Sequence, residues 1–408
     1  MQGLATDQDF TGDARLTPGA DARLSVERLT LTDYRCYRFQ RLETGPETVV
    51  LAGPNGAGKT NVLEALSFLV PGRGLRRARL GDVGRRDEAD RPVAAEDVSG
   101  RAWAVAATLR TPGGPVDLGT GLEAATVTNG RERRAVHVDG EAVKTQAVLA
   151  DHFSAQWLTP QMDRLFLEGP SARRRFLDRL VFGTDPAHAG RVAAYDHALR
   201  ERSRLLRDGN SDGDWLGALE GTMAEKGVAV AAARLEMTDR LQAVLEANKG
   251  PFPGAVLAAD GAVETWLRDY PALEAEDRFR EALKTARRRD GENGGTADGP
   301  HRSDLKVRHL AKGQPAEQCS TGEQKALLIA IVLANARLQA RERGVLPLLL
   351  LDEVAAHLDE KRRLALFDEI EGLGVQAWLT GTDGALFAPL KGRAQFFAVE
   401  DAVVTPED

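Results

Sequence analysis

The sequence predicts an α/β protein: a mixed sheet with flanking helices, joined to an antiparallel β meander and interrupted by a short helical lobe. Three observations carry this. An apolar run, Thr48-Val-Val-Leu51, feeds a glycine-rich turn and then a helix beginning at Lys59. Thr- and Val-rich sequence from Arg101 to Val143 is broken by Gly113-Gly114, Asn129-Gly130 and Asp139-Gly140, dipeptides that mark hairpins. From about Ser171 to about Ala247, Arg, Leu, Ala and Glu dominate, with apolar residues at helical spacing.

Residues 1–23 are polar and rich in Gly, Asp and Thr without apolar period, which predicts a flexible tail. Alternation over Leu24–Leu31 predicts a half-buried strand, Thr48–Leu51 a buried one, and Lys59–Leu69 a helix. The helical run after Ser171 has a polar break at Asp208–Asp214, so two or three helices packed as a hairpin fit it. About 75 residues at 1.5 Å each, folded back once, reach about 50 Å, a lobe rather than a long coiled-coil arm. A further helix, Asp277–Arg289, leads into a polar linker at Asp290–Gly299. A helix from Glu323 to about Arg343, a strand Leu346–Leu351, a helix from Glu360 and a strand near Val375–Leu379 complete the pattern. The expected domains are a head formed by 24–170 and 291–399, a lobe at 171–290 and an acidic tail at 400–408.

The chain has 408 residues, 42% hydrophobic and 28% charged, with net charge −7, ample for one large or two medium cores without metal or disulfide staples. Its two cysteines, Cys36 and Cys319, form no CxxC pair, which excludes a zinc module or disulfide scaffold. No apolar run of about 18 residues exists, so no membrane span is expected. Met1–Ala20 carries Asp7, Asp9 and Asp13 and no apolar stretch, unlike a secretory signal. A cytosolic globular protein is therefore expected. The histidines show no HExxH spacing, and Gly209-Asn-Ser211-Asp-Gly213 fits the GxSxG pattern only within a polar linker that lacks the strand–turn–helix it needs.

The chemistry begins at Gly53-Pro54-Asn55-Gly56-Ala57-Gly58-Lys59-Thr60, a full GxxxxGK[ST] match between a strand and a helix. Such a loop turns backbone N–H groups towards phosphate oxygens. Lys59 would reach the β- and γ-phosphates, and the Thr60 hydroxyl would join the shell of Mg²⁺. A second carboxylate is needed for the metal, and Leu348-Leu-Leu-Leu351-Asp352-Glu353 supplies it: Asp352 for Mg²⁺, Glu353 to polarise the attacking water.

Cys319-Ser320-Thr321-Gly322-Glu323-Gln324-Lys325 precedes the helix before Asp352. Ser320 and Glu323 make a capping box, so a well-capped helix is one reading. The segment also resembles the signature loop of ABC-type ATPases, which contacts the γ-phosphate held by a second subunit. Ala356-His357-Leu358-Asp359 is similar to the D-loop at the dimer seam of that group. Trp157-Leu-Thr-Pro160-Gln161 is similar to its Q-loop, with Gln161 near Mg²⁺. The switch histidine of the group is missing, and Thr380-Gly381-Thr382-Asp383 stands in its place. Three further stretches resemble the RecF family, a DNA-repair branch of the SMC-like ABC-type P-loop ATPases. They are Asp33-Tyr-Arg35-Cys-Tyr37, Gly169-Pro-Ser-Ala-Arg-Arg174-Arg175-Phe-Leu-Asp178, and Gly299-Pro-His301-Arg302-Ser-Asp304-Leu. The likeness runs from Leu24 to about Val399, and the separation of about 260 residues between Thr60 and the signature-like loop suits a head with a short lobe.

The resemblance implies an ABC-type ATPase head that binds ATP, dimerises on it, hydrolyses slowly, and clamps double-stranded DNA near single-strand gaps. It implies RecO and RecR as partners in loading RecA, and a cytoplasmic, nucleoid-associated location. Arg35 and Asn61 would lie by the nucleotide, while Ser320, Gly322, Glu323 and Asp359 would meet that of the second copy. His301, Arg302 and Asp304 fit either a structural turn or an active-site role. For DNA, Arg73, Arg76, Arg77 and Arg79, with Arg85, Arg86 and Arg91 beyond, could neutralise phosphates. Asp82, Asp87, Glu88 and Asp90 are mixed among them, so a solvated charged loop is the rival reading. Arg173–Arg175 and Arg287–Arg289 are further candidates. The other functions open to the chain are a transporter's energy-coupling subunit and a nucleotide-gated scaffold without turnover.

Overall fold

The computed structural model describes residues 24–86, 101–123, 133–209, 212–247 and 250–407. The expected 1–23 tail, the Asn129-Gly130 turn, Ser211, and the charges at Asp87, Glu88, Asp90 and Arg91 lie outside them.

Strands β1 (Ser25–Tyr34) and β2 (Tyr37–Glu43) form a hairpin, and β3 (Thr48–Ala52) leads into α1 (Lys59–Ser67). The meander follows as β4 (Trp103–Thr111), β5 (Gly114–Leu122), β6 (Arg134–Val138) and β7 (Glu141–Ala142), then α2 (Leu149–His152) and β8 (Ala155–Leu158). Next come α3 (Pro170–Phe182), α4 (His188–Arg207), α5 (Gly213–Ala247), β9 (Ala255–Asp260), α6 (Ala262–Asp269), α7 (Ala272–Thr285) and α8 (Arg287–Asn293). The chain closes with β10 (Asp304–His309), α9 (Thr321–Arg343), β11 (Leu348–Leu351), α10 (Glu360–Leu373), β12 (Ala377–Gly381), β13 (Ala394–Glu400) and β14 (Val403–Glu407).

These strands build two six-stranded sheets and a ribbon. The first, β2-β1-β4-β5-β6-β7, is antiparallel throughout. The second, β14-β13-β3-β12-β11-β8, is parallel except for β14, and β9 pairs with β10. Side-chain alternation along the second sheet separates two cores. Val49, Leu51, Leu348, Leu350 and Trp378 face the first sheet across α1, whereas Val50, Leu349, Leu351, Ala377 and Leu379 face α9 and α3. Both faces being covered explains why β11 reads as four consecutive leucines rather than as an alternation.

Two expectations are corrected. The linker expected at Asp290–Gly299 begins inside α8, and Asp290 is buried against Arg202 at 2.8 Å, so a buried ion pair orders polar sequence that has no apolar period. Within the segment expected as an acidic tail at 400–408, Val403–Glu407 forms a strand that pairs with β13, and Gln40 bonds the backbone of Val404 in both directions. Strands β8, β9, β10 and β13 carried no clear pattern in the sequence. Ala255-Val-Leu-Ala-Ala-Asp260 is alanine-rich and becomes a strand through its pairing with β10.

The lobe is anchored by buried ion pairs. Arg234 grips Asp178 at 2.8 and 2.9 Å, and His188 joins the same carboxylate at 2.9 Å. Arg202, fully buried, meets Glu220, Asp290, Thr296 and the Leu283 carbonyl. Arg173 forks onto Asp304, and Arg174 donates to the Ser303 carbonyl, so α3 clasps the start of β10.

Burial pushes the Asp178 carboxyl up, but the Arg234 guanidinium and His188 outweigh it and hold it below its ordinary value. A depressed carboxylate stabilises the fold above its unfolded pKa of about 4, and that contribution fades as pH falls below it. Asp178→Asn removes the carboxylate that ion-pairs the buried Arg234, and is expected to cost about 3 kcal/mol at neutral pH. It should also flatten the acid limb of a melting-temperature profile. Unchanged melting and an unchanged acid limb would remove Asp178 from this anchoring role.

Candidate nucleotide site

The loop after β3 has its shape because of what surrounds it. Gly53 sits at φ +155°, where an added Cβ would collide with the Val399 carbonyl. Gly58, at φ +118°, would drive a Cβ to 2.5 Å from the Tyr37 hydroxyl, so the β1–β2 turn presses directly on the loop. The first turn of α1 has no side-chain cap and no acidic residue, leaving its end suited to an anion.

Lys59 is 5% exposed, and its ammonium donates to the carbonyls of Gly53 at 2.6 Å and Pro54 at 2.9 Å. Glu353 lies 3.7 Å from the same nitrogen. Thr60 donates to Asp352 Oδ1 at 2.9 Å, and Thr380 donates to that oxygen at 2.8 Å. Because the Thr60 proton is committed to Asp352, its lone pairs remain for a cation. A hydroxyl beside a carboxylate is an all-oxygen donor set that fits Mg²⁺. Among the described residues no group of three or more His, Cys, Asp or Glu could hold a metal by itself. Glu353 has φ +53°, in the left-handed region.

Arg35, also left-handed at φ +54°, forks onto the buried Glu64 of α1 at 2.7 and 2.8 Å and donates to the Asp82 carbonyl. Asn61 donates to the Cys36 sulfur at 3.1 Å. The Asp33–Tyr37 stretch therefore braces the helix that follows the loop. Gln161 is exposed in the turn Pro160–Arg164 after β8, and β8 is hydrogen-bonded to the end of β11 where Asp352 stands. Two residues on, Asp163 binds Lys325 of α9 at 3.1 Å.

A second cluster forms at the start of α9. Ser320 caps the helix, and Glu323 completes the box. The Glu323 carboxyl is held down at about 2, first by Lys312 and then by Ser320. Arg362 donates to the Gly322 carbonyl at 3.3 Å, and its backbone N–H donates to Asp359, the cap of α10. The signature-like and D-loop-like segments are thus pinned to each other.

Other candidates are brought to different ends. Arg76, exposed, donates to Asn61 at 2.7 Å and to Glu64 at 3.2 Å. Arg73, Arg77 and Arg79 are exposed. The Arg77 guanidinium is pushed down by burial and by Arg175 and Arg73, which places these three cations together. Arg86 pairs with Asp82, Arg287 with Glu220 and Arg289 with Asp298, while Arg173 and Arg174 are bound internally. His301 accepts structural duty between Tyr195 and the Thr296 carbonyl, Arg302 binds that carbonyl too, and Asp304 is held by Arg173 and Lys306. Burial lowers the His301 pKa to about 4. Of its two readings, the structural turn holds. Glu64, Arg362 and Lys312 escaped the sequence reading; an acid within the buried face of α1 was the one visible sign. None of the described helices is long and apolar enough to cross a membrane.

Residues 25–387 match the RecF/RecN/SMC N terminal domain family. The DNA replication and repair protein RecF of Mesorhizobium japonicum is 48% identical over 390 residues, covering 95% of this chain and 99% of that protein. Its counterpart in Agrobacterium fabrum is 47% identical over 385 residues, covering 94% and 99%. A solved structure of the recombination mediator protein RecF with ATP, in the RecFOR pathway, superposes with a TM-score of 0.79 at 21% identity, over 96% of this chain and 99% of that one. An Smc head bound to the C-winged helix domain of ScpA gives 0.52 at 15% identity, over 94% and 96%. A mixed α/β ATPase-head fold, a nucleotide loop facing two carboxylates, and near full-length likeness at almost half identity converge: the chain belongs to the RecF family of DNA replication and repair proteins.

Proposed function

We propose that this chain is an ATP- and Mg²⁺-dependent DNA-repair ATPase that dimerises on nucleotide and holds double-stranded DNA near single-strand gaps. The observation that carries it is the single constellation of Lys59, Thr60, Asp352 and Glu353 at the ends of β3 and β11. A phosphate entering the loop replaces the Gly53 and Pro54 carbonyls as the partner of Lys59, with Gly56, Ala57 and Gly58 offering backbone N–H groups. Thr60 and Asp352, with Gln161 nearby, would hold Mg²⁺, whose charge offsets that of the phosphates. Glu353, released from Lys59, is the group available to orient water. The absent switch histidine fits slow turnover.

Ser320, Gly322, Glu323 and Asp359 form a cluster of their own, bound to Arg362 and Lys312, which suits a surface completed by the nucleotide of a second copy. The head of 24–170 and 291–399 then closes as a pair, with the lobe of 171–290 between its halves in sequence. The RecFOR pathway named for the structural neighbour supports RecO and RecR as partners. A cytoplasmic, nucleoid-associated location follows from that role.

Sedimentation with and without ATP and Mg²⁺, repeated with a short duplex, tests this: a monomer should become a dimer with ATP and then retain DNA. Ser320→Arg should abolish that dimer and leave nucleotide binding of the monomer intact. Glu353→Gln should trap the dimer, whereas indifference to it would favour a scaffold without turnover.

For DNA, the exposed Arg73, Arg77 and Arg175 are the side chains this reading selects. Replacing all three by Ala should weaken duplex binding across sequences and reduce the log–log salt slope by about one for each phosphate that is no longer neutralised. An unchanged slope would move the DNA surface elsewhere.

A further inference from the structure

We infer that Thr380 is the positioning residue that sets both acids of the site, an inference that rests on the ATPase reading above. β12 lies between β3, which ends in the nucleotide loop, and β11, which ends in Asp352-Glu353. Its C-terminal residues therefore touch both. Thr380 pairs with Leu51 across one ladder, and the next carbonyl, of Gly381, accepts from the N–H of Gly53 at 3.2 Å.

The Thr380 side chain is 1% exposed and uses both capacities of its hydroxyl. It donates to Asp352 Oδ1 at 2.8 Å and accepts from the backbone N–H of Glu353 at 2.9 Å. The first bond, together with that from Thr60, satisfies one carboxylate oxygen and turns Asp352 to present the other. The second fixes the peptide of Glu353, a non-glycine residue at φ +53° that needs such a restraint to stay there. One oxygen atom thereby coordinates the orientation of the metal-side carboxylate with that of the water-side carboxylate. It does so from the strand end beside the place where a switch histidine is absent.

Valine suits a buried strand as well as threonine does, so Thr380→Val removes the hydroxyl and keeps the shape. The expected result is a fall in kcat of about ten- to a hundred-fold, the scale of a hydrogen bond to a charged group. The Mg²⁺ concentration for half-maximal turnover should rise, while KM for ATP moves less than about threefold, because uniform substrate binding is untouched. ATP binding measured in EDTA should stay as in the wild type, since the loop is intact. Thr380→Ser should restore turnover and Mg²⁺ requirement to within about threefold, since it keeps the donor and the acceptor. Thr380→Ala, compared with Thr380→Ser, replaces the valine variant should that one melt early. Thr380→Val with wild-type turnover and Mg²⁺ requirement would overturn the inference, as would a serine variant as slow as the valine one. Should the wild type hydrolyse no faster than Glu353→Gln, the hydrolysis reading fails on its own. Thr380 is then decided by Mg²⁺-dependent strengthening of ATP binding, lost in Thr380→Val and kept in Thr380→Ser if the inference holds. Equal strengthening in both would overturn it.

Discussion

The parallel strands β3, β12 and β11 all release the chain at the same edge of the sheet, with Ala52 opposite Gly381 and Leu351 opposite Leu379, two residues earlier. Every chemical group of the site is delivered from that edge. The loop with Lys59 and Thr60 follows β3, the two acids follow β11, and Thr380 stands between them on β12. Parallel strands need crossover connections, and here those connections are the meander, the lobe and α9–α10. The site thus sits outside the carboxyl ends of the strands, where open α/β sheets place their ligands.

Two kinds of packing hold this edge in register. The hydrophobic cores on either face of the second sheet exclude water from β3, β11 and β12, so their ladder bonds have no competitor. Polar braces then fix the parts that leave the sheet. Arg35 holds α1 through Glu64, Tyr37 bounds Gly58, and Thr60 and Thr380 share one carboxylate oxygen. Each brace joins residues far apart in sequence, which makes the geometry a property of the assembled head rather than of any segment.

The lobe is attached by the same logic with larger charges. Arg173, Arg174, Arg202 and Arg234 all end on buried carboxylates or carbonyls, so a run that reads as a basic surface is largely interior. Such pairs contribute less to net stability than to a single relative placement of α3, α5 and the Gly299–Leu305 turn. Among the described residues, Arg73, Arg77, Arg79 and Arg175 remain exposed. The start of α9 reaches the other way: Asp163 and Lys325 tie it to the turn carrying Gln161.

The sequence by itself determined the strand–loop–helix around Lys59, the apolar strand into Asp352-Glu353, the hairpins of the meander and the helices from Ser171 to Ala247. These are written in local periodicity, glycine placement and contiguous motifs, which need no knowledge of distant residues. It also displayed the signature-like loop as a capping box, because a cap is a contact between neighbours. Only the tertiary structure decided that Asp290 is interior, that Val403–Glu407 is a strand, and that β9 and β10 form a ribbon. For Asp290 and the ribbon, pairing with a remote partner overrode weak local propensity, while Val403–Glu407 is the second arm of a hairpin with β13 that Gln40 of β2 fastens. The same holds for charge: nothing local distinguishes Arg76, spent on Glu64, from Arg77 beside it, or marks Thr380 as the neighbour of both acids. Arginine and threonine are given their roles by the acceptor that folding brings within about 3 Å.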